Sequence, residues 1–419
     1  MKVLLRKVQI TDPQSPHNGQ VKDILIQNGF LSKIADQITE TADQVIEHKG
    51  LQVSPGWVDL FANFCDPGYE FKETVETGTK AAAAGGFTHV MLIPNTQPVI
   101  HSKSQVEYLV RKGFSLPVEL HPLGAVSRNA EGKELAEMYD MHASGALGFS
   151  DGLNPIQSAG LLLKALQYVK SFDGTIIQIP DDRSIGAHGL MNEGVISTRL
   201  GLPGKPAMSE EIMVARDIKL ARYTNSKLHF TGVSSQKSLE YIQRAKEGGI
   251  AISCSVTPYH LFYCDEDLAD YDTNLKVDPP LRTRADRDAL REAVRTGLVD
   301  CVATHHQPHE WDSKTCEFEY AKFGMIGLES CFGVISACGI PVDTWIKMNA
   351  INARDLFKIP AAILKEGERA DLTLFSAGHS FTFGEKNIRS KSKNSPFIGQ
   401  ELKGTVLGII NGEKLFLNN

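Results

Sequence analysis

The sequence contains no C-x-x-C pair, no block of basic residues, no G-x-G-x-x-G and no long apolar run. Each absence closes a class of function. Its seven cysteines, at 65, 254, 264, 301, 316, 331 and 338, are odd in number and scattered. That pattern argues against a disulfide framework and a thiolate zinc site, and a reducing cytoplasm is the expected setting. With 44 Lys and Arg against 50 Asp and Glu, the net charge is −6 and offers no nucleic-acid surface. No segment approaches the ~20 apolar residues that cross a bilayer, so no membrane association is expected. The start, Met1-Lys2-Val3-Leu4-Leu5-Arg6-Lys7-Val8, has neither the apolar run nor the small-residue site of a signal peptide. Solenoid repeats and low-complexity tracts are also missing.

What is present is an ordinary globular composition, 42% hydrophobic and 22% charged over 419 residues. That length fits one large barrel with an accessory unit, or two or three ordinary domains. Residues 1–52 read as short strands broken by the turn signals Asn18-Gly19 and Asn28-Gly29. From 53 to 360 short apolar runs alternate with helical stretches. Helices are expected over 71–84, 105–112, 133–144, 158–171, 209–223, 236–247 and 286–295. Strands are expected at 88–93, 118–120, 146–149, 175–179, 227–231, 250–254 and 299–303. With the stretch Ser54-Pro55-Gly56-Trp57-Val58-Asp59-Leu60-Phe61-Ala62-Asn63-Phe64-Cys65 they make eight staves, the count of a closed (β/α)8 TIM barrel. A doubly wound open sheet is the runner-up, weakened by the missing glycine fingerprint. Residues 361–419 return to β texture. Each β end is short for its own core, so the two are expected to form one composite small β domain, 1–52 with 361–419.

In the stretch 54–65, simple alternation puts residues 59, 61, 63 and 65 on one strand face. Farther on, Thr304-His305-His306-Gln307-Pro308-His309 gathers three imidazoles, which with Asp151 or Cys65 are candidates for a metal or catalytic site. The blander reading is that they are scaffold positions. Neighbours on an extended strand end point to opposite faces. The loop Asp181-Asp182-Arg183 reads as solvated, and His260 as a hydrogen-bonded scaffold histidine. Arg282 and Lys276 are balanced between anion binding and structural hydrogen bonding. Glu210-Glu211 opens a helix, where carboxylates favour the N-terminal dipole.

A series of ordered segments resembles the dihydroorotase branch of the amidohydrolase superfamily over essentially the whole chain. They include Pro55-Gly56-Trp57-Val58-Asp59-Leu60, Asp66-Pro67-Gly68-Tyr69-Glu70-Phe71-Lys72-Glu73, Glu76-Thr77-Gly78-Thr79-Lys80-Ala81, Pro94-Asn95-Thr96 and Phe149-Ser150-Asp151. Met191-Asn192-Glu193-Gly194, Asn274-Leu275-Lys276-Val277-Asp278-Pro279-Pro280-Leu281-Arg282 and Phe323-Gly324-Met325-Ile326-Gly327-Leu328-Glu329 continue the series. The resemblance implies the same barrel and composite β domain. It also implies hydrolysis of a cyclic amide, or the reverse cyclisation of carbamoyl aspartate, on one or two zinc ions at the barrel mouth. In the family the first strand ends H-x-H-x-R, and Phe61, Asn63 and Cys65 stand there instead. Asp151 keeps the carboxylate of F-S-D-D-G. Gln178 stands where the histidine of H-C-E-D belongs, and Gly232 takes the ligand place of H-x-x-H-V-S, leaving His229. In T-D-H-A-P-H the catalytic aspartate is His305, while His309 is kept. Asn95, Asn274 and His309 match substrate-binding positions and are the expected pocket residues.

One carboxylate cannot hold zinc, which needs three or four well-placed donors. No cofactor is therefore expected. The favoured reading resembles the non-catalytic dihydroorotase homologues that assemble with aspartate transcarbamoylase. It implies a structural or regulatory role in pyrimidine biosynthesis, in the cytoplasm and as a homo-oligomer. The first alternative is an active cyclic-amide hydrolase with an atypical site around Asp151, His305, His306 and His309. The second is a small-molecule sensor for a carbamoyl aspartate-like or dihydroorotate-like ligand.

Overall fold

In the computed structural model, which describes residues 1–418, the chain opens with β1 (Lys2–Ile10), β2 (Val21–Gln27) and β3 (Phe30–Ala35) as antiparallel neighbours. Asn28 and Gly29 join the last two at φ of 51° and 79°, the positive pair that a tight hairpin turn demands. Two short strands, β4 (Gln44–Ile46) and β5 (Gln52–Pro55), then lie parallel to β1.

The barrel follows. Its staves β6 (Trp57–Ala62), β7 (Phe87–Leu92) and β8 (Glu119–Pro122) pair in parallel. The stave β9 (Thr175–Gln178) comes next, and a short parallel pair, β10 (Met191–Asn192) with β11 (Gly204–Lys205), sits in the excursion after it. The staves β12 (Lys227–Phe230), β13 (Ile252–Val256) and β14 (Cys301–Val302) complete a second parallel sheet in the order β14-β13-β12-β9. Between the two sheets the strand expected at 146–149 is reduced to Phe149, bridged in parallel to Gly124 and Ile176. A parallel bridge from Ala62 to His306 closes the ring on the other side.

The chain ends in β15 (Asp371–Thr382), β16 (Glu401–Asn411) and β17 (Lys414–Leu417). These join the N-terminal strands in one sheet, ordered β17-β16-β15-β5-β1-β2-β3. Its core combines Val3, Leu5, Ile24 and Ile26 with Leu364, Leu372, Leu374 and Ile410, so neither chain end buries its apolar face alone.

Several helices match the sequence periodicity closely, as with Gln236–Glu247. The one expected at 71–84 starts at Val75, where Thr74 and Thr77 form a reciprocal cap. The one expected at 133–144 contracts to Met138–Ala143.

Candidate active site at the barrel mouth

The first stave does not keep simple alternation. Its pairing with β7 shifts between Asp59 and Ala62, so Leu60 and the next residue, Phe61, both join the apolar cluster inside the barrel. The shared face expected for 59, 61, 63 and 65 is therefore not formed. Asp59 turns to the last stave, accepting from the Thr304 amide at 2.7 Å and its hydroxyl at 2.9 Å. Asn63 is consumed locally: its Oδ1 accepts the Cys65 amide at 2.8 Å and its Nδ2 donates to Gln307 Oε1 at 3.2 Å. Cys65 sits at φ 59°, and burial pushes its thiol up to about 12, so it offers no thiolate.

His305 fills the centre of the mouth. Its ring lies over Phe61, with centroids 4.5 Å apart and planes at 30°. Its Nε2 is 2.8 Å from Thr231 Oγ1. Thr231 in turn accepts from Ser255 Oγ at 2.9 Å, and Ser255 contacts His229 Nε2 at 3.0 Å. Burial pushes both His305 and His229 down to about 3, so each imidazole is neutral. Gly232 faces the same ring: a Cβ added there would lie 2.7 Å from His305 Cε1, and its φ is 71°. A side chain at 232 and this placement of His305 exclude each other.

The remaining candidates each contact the surrounding fold, while His306 Nε2 and His309 Nδ1 are buried without a hydrogen bond. The Gln178 amide makes a two-way contact with the Ile156 backbone, accepting at 3.4 Å and donating at 3.3 Å. Asp151 accepts the Ser127 amide at 2.9 Å and the Ser127 hydroxyl, and burial pushes it up to about 6. His306 Nδ1 accepts the Gly327 amide at 3.2 Å, which places the proton on Nε2, 3.5 Å from the buried Glu73 carboxylate. Burial raises Glu73, but His306, Ser390 and Thr77 more than offset it and hold it below its ordinary value. His309 Nε2 donates to Phe323 O at 2.8 Å, and burial pushes that ring down to about 4. Among the described residues, no three of Asp151, His305, His306 and His309 bring ligand atoms within 4.8 Å of one another. These four side chains therefore do not form a metal-ligand group of that size.

A cavity of about 250 Å³ opens above Phe61 and His305, walled by Asp181, Arg183, Tyr259 and Asp278. The expected pocket residues stand outside its lining. Asn95 ties the 151–153 turn, donating to Asp151 O at 3.1 Å and accepting from Leu153 N at 2.9 Å. His309 is held by Phe323, and the Asn274 backbone amide donates to the capping Asp272 carboxylate at 2.9 Å. The loop read as solvated is corrected as well. Asp181 is buried and pairs with Lys205 Nζ at 2.8 Å, and the same ammonium reaches Asp278 at 2.6 Å. Lys205 lay in no motif, so the sequence carried no signal for this triad.

Lys276 and Arg282 resolve to structural roles. The Lys276 ammonium donates to the carbonyls of Phe318 and Glu319, and Arg282 donates to Ser234, Asn192 and the Lys205 carbonyl. His260 is hydrogen-bonded as expected, between Thr257 Oγ1 and Pro280 O. Glu210 lies in the first turn of the helix Met208–Thr224, as expected, and is buried there, accepting the Ser234 and Ser235 amides.

The family described as "Dihydro-orotase-like" matches residues 50–238. A dihydroorotase of Syntrophus aciditrophicus is 38% identical over 414 residues, 97% of each chain. One from Caldanaerobacter subterraneus subsp. tengcongensis is 40% identical over 95% of this chain and 94% of its own. The chain belongs to the dihydroorotase family. The L-hydantoinase of Arthrobacter aurescens superposes with a TM-score of 0.87 at 22% identity, covering 99% of this chain and 96% of its own, and so shares its fold.

The donors at the mouth of this member of the dihydroorotase family do not match the zinc that family resemblance implies. Phe61 and Gly232 have no donor. The amides of Asn63 and Gln178 are engaged, and His305 Nε2 is bonded to Thr231. Asp151 alone remains, tied to Ser127. This set does not fit a zinc ion, which takes three or four converging N, O or S ligands.

Proposed function

We propose that this protein is a dihydroorotase homologue without dihydroorotase activity, acting as a structural or regulatory component of pyrimidine biosynthesis. The observation that carries the reading is the Phe61–His305 stack, locked by Thr231 and accommodated only because residue 232 is glycine. That stack occupies the ground where the family's metal chemistry is expected. Without a Lewis acid, no bound water is brought from a pKa of ~15.7 toward ~7. Relatives named dihydroorotase support the pathway and the ancestry of the fold; the donor set supports loss of the reaction.

We further propose a division into 1–52 with 361–419 and 53–360, a cytoplasmic location, self-association, and aspartate transcarbamoylase as the partner. Co-sedimentation of the two purified proteins tests the partnership. A stable mixed species supports it, and independent sedimentation at micromolar concentration overturns it. The test of the central reading is a dihydroorotase assay in both directions.

A second reading, a binding module for a small acid, is favoured by the cavity itself. Arg183 lines it together with Asp181 and Asp278, whose carboxylates pair with the buried Lys205, and a guanidinium there suits a carboxylate-bearing amide.

A further inference from the structure

The barrel has a second cluster of ligand-type side chains at the end opposite the mouth. His89 lies near the start of β7, and Glu119 and His121 lie on β8. In the pairing register His89 is directly across from Glu119, and His121 is two residues on, so all three share one face. The two imidazole rings are parallel within 9°, with centroids 5.2 Å apart. Nδ1 of His89 is 2.9 Å from Nε2 of His121 and 3.7 Å from a Glu119 oxygen. Among the described residues this is the one group of three His, Cys, Asp or Glu side chains whose ligand atoms all fall within 4.8 Å.

We propose that His89 Nδ1, His121 Nε2 and the Glu119 carboxylate form a binding site for a divalent transition-metal ion of the zinc class, unrelated to the barrel mouth. Two imidazoles and one carboxylate are an established zinc ligand set. Tetrahedral bonds of about 2.0–2.1 Å put ligand atoms about 3.3 Å apart, so the observed 2.9 and 3.7 Å need to change by only about 0.4 Å each.

The surroundings select the required lone pair. His89 Nε2 is 2.8 Å from Asp371, which Arg354 holds at 2.8 Å. Donation from Nε2 to that carboxylate leaves Nδ1 unprotonated and aimed at the cluster. A carboxylate behind a ligating histidine is the usual supporting arrangement. In the metal-free chain the ring–ring contact is one hydrogen bond from His121; on binding, its proton moves to His121 Nδ1. Arg369 occupies the other oxygen of Glu119 at 2.8 Å and leaves the inner one free. The Glu119 side chain is 41% exposed, so water can complete the coordination. Such an ion would link β7 to β8 and, through Asp371 on β15, couple them to the terminal sheet.

The cluster is independent of the barrel mouth. The full-length protein, stripped with chelator, is titrated with Co2+ alone and followed by its visible ligand-field absorption, then competed with Zn2+. One equivalent per chain with the spectrum of a four-coordinate site is expected. His121→Asn and the surface variant Glu119→Gln should each weaken binding tenfold or more while retaining the native far-ultraviolet spectrum. His309→Asn, at the mouth, should leave binding unchanged. Absence of a stoichiometric cobalt spectrum, or undiminished binding in both β8 variants, would overturn the site.

Discussion

His305 and Gly232 define each other. The ring can lie over Phe61 only while position 232 has no Cβ, and that residue also holds a positive φ. Gly232→His alone should therefore lower stability by about 2 kcal/mol or more, through backbone strain and collision with the ring. Urea unfolding of the single variants and of Gly232→His with His305→Asp should show coupling: the second change recovers part of the loss. Strictly additive effects would mean the two positions do not share space. The buried imidazoles also set an acid limit. His229 and His305 are pushed down to about 3, and His260 and His309 to about 4, from an ordinary value near 6.5. Between those values the unfolded chain binds more protons than the folded one, so stability falls as pH drops below 6.5. Asp59, Asp151 and Asp217, raised to about 6 by burial, act in the opposite sense between 6 and 3.8. The four imidazoles outnumber the three carboxyls, so a net loss is expected from pH 7 to 6, partly offset as the carboxyls take up protons. Urea midpoints measured from pH 7.5 to 4.5 check this; a midpoint rising from pH 7 to 6 contradicts it.

At the scale of elements, the helices and most staves were legible because their apolar spacing is local information. Gln236–Glu247 follows directly from its periodicity and its flanking Ser235 and Gly248. The stave at 146–149 was visible as an apolar run, yet it forms only the bridges of Phe149 to its two neighbours, a length set by partners the local sequence does not reveal. The register shift in β6 was equally invisible. A period-two pattern assigns faces only while pairing is regular, and here Leu60 and Phe61 both turn inward. The substituted positions 61, 63, 178, 232 and 305 were readable one by one from the family likeness. The charged triad beside them was not, because Asp181 and Asp278 come from two distant loops and Lys205 from the short strand β11. Asp59 shows what the shifted stave gains, since it joins the first stave to the last through Thr304. Asp59→Ala would strand a buried amide and hydroxyl and should cost about 1–3 kcal/mol in urea unfolding. A variant as stable as the parent would mean that this contact does not hold the barrel closed.

For the whole molecule, the fold is that of the dihydroorotase family. The barrel, its bridges and the shared terminal sheet are those of a hydrolase, while the mouth is packed with Phe61 and His305 in place of converging donors. If the cavity still serves as a binding site, isothermal titration with carbamoyl aspartate should give saturable binding that Arg183→Ala weakens at least tenfold. No heat at millimolar ligand would remove that reading and leave the structural one standing. Metal content alone is an inadequate test of activity, because the cluster at the other end of the barrel could bind zinc without serving catalysis. The decisive measurement is turnover of dihydroorotate and of carbamoyl aspartate by the purified chain supplied with Zn2+, with and without the His121→Asn change. The account predicts no reaction above the uncatalysed background in either direction. Zinc-dependent turnover at about 1 s⁻¹ or faster, retained in His121→Asn, would contradict it.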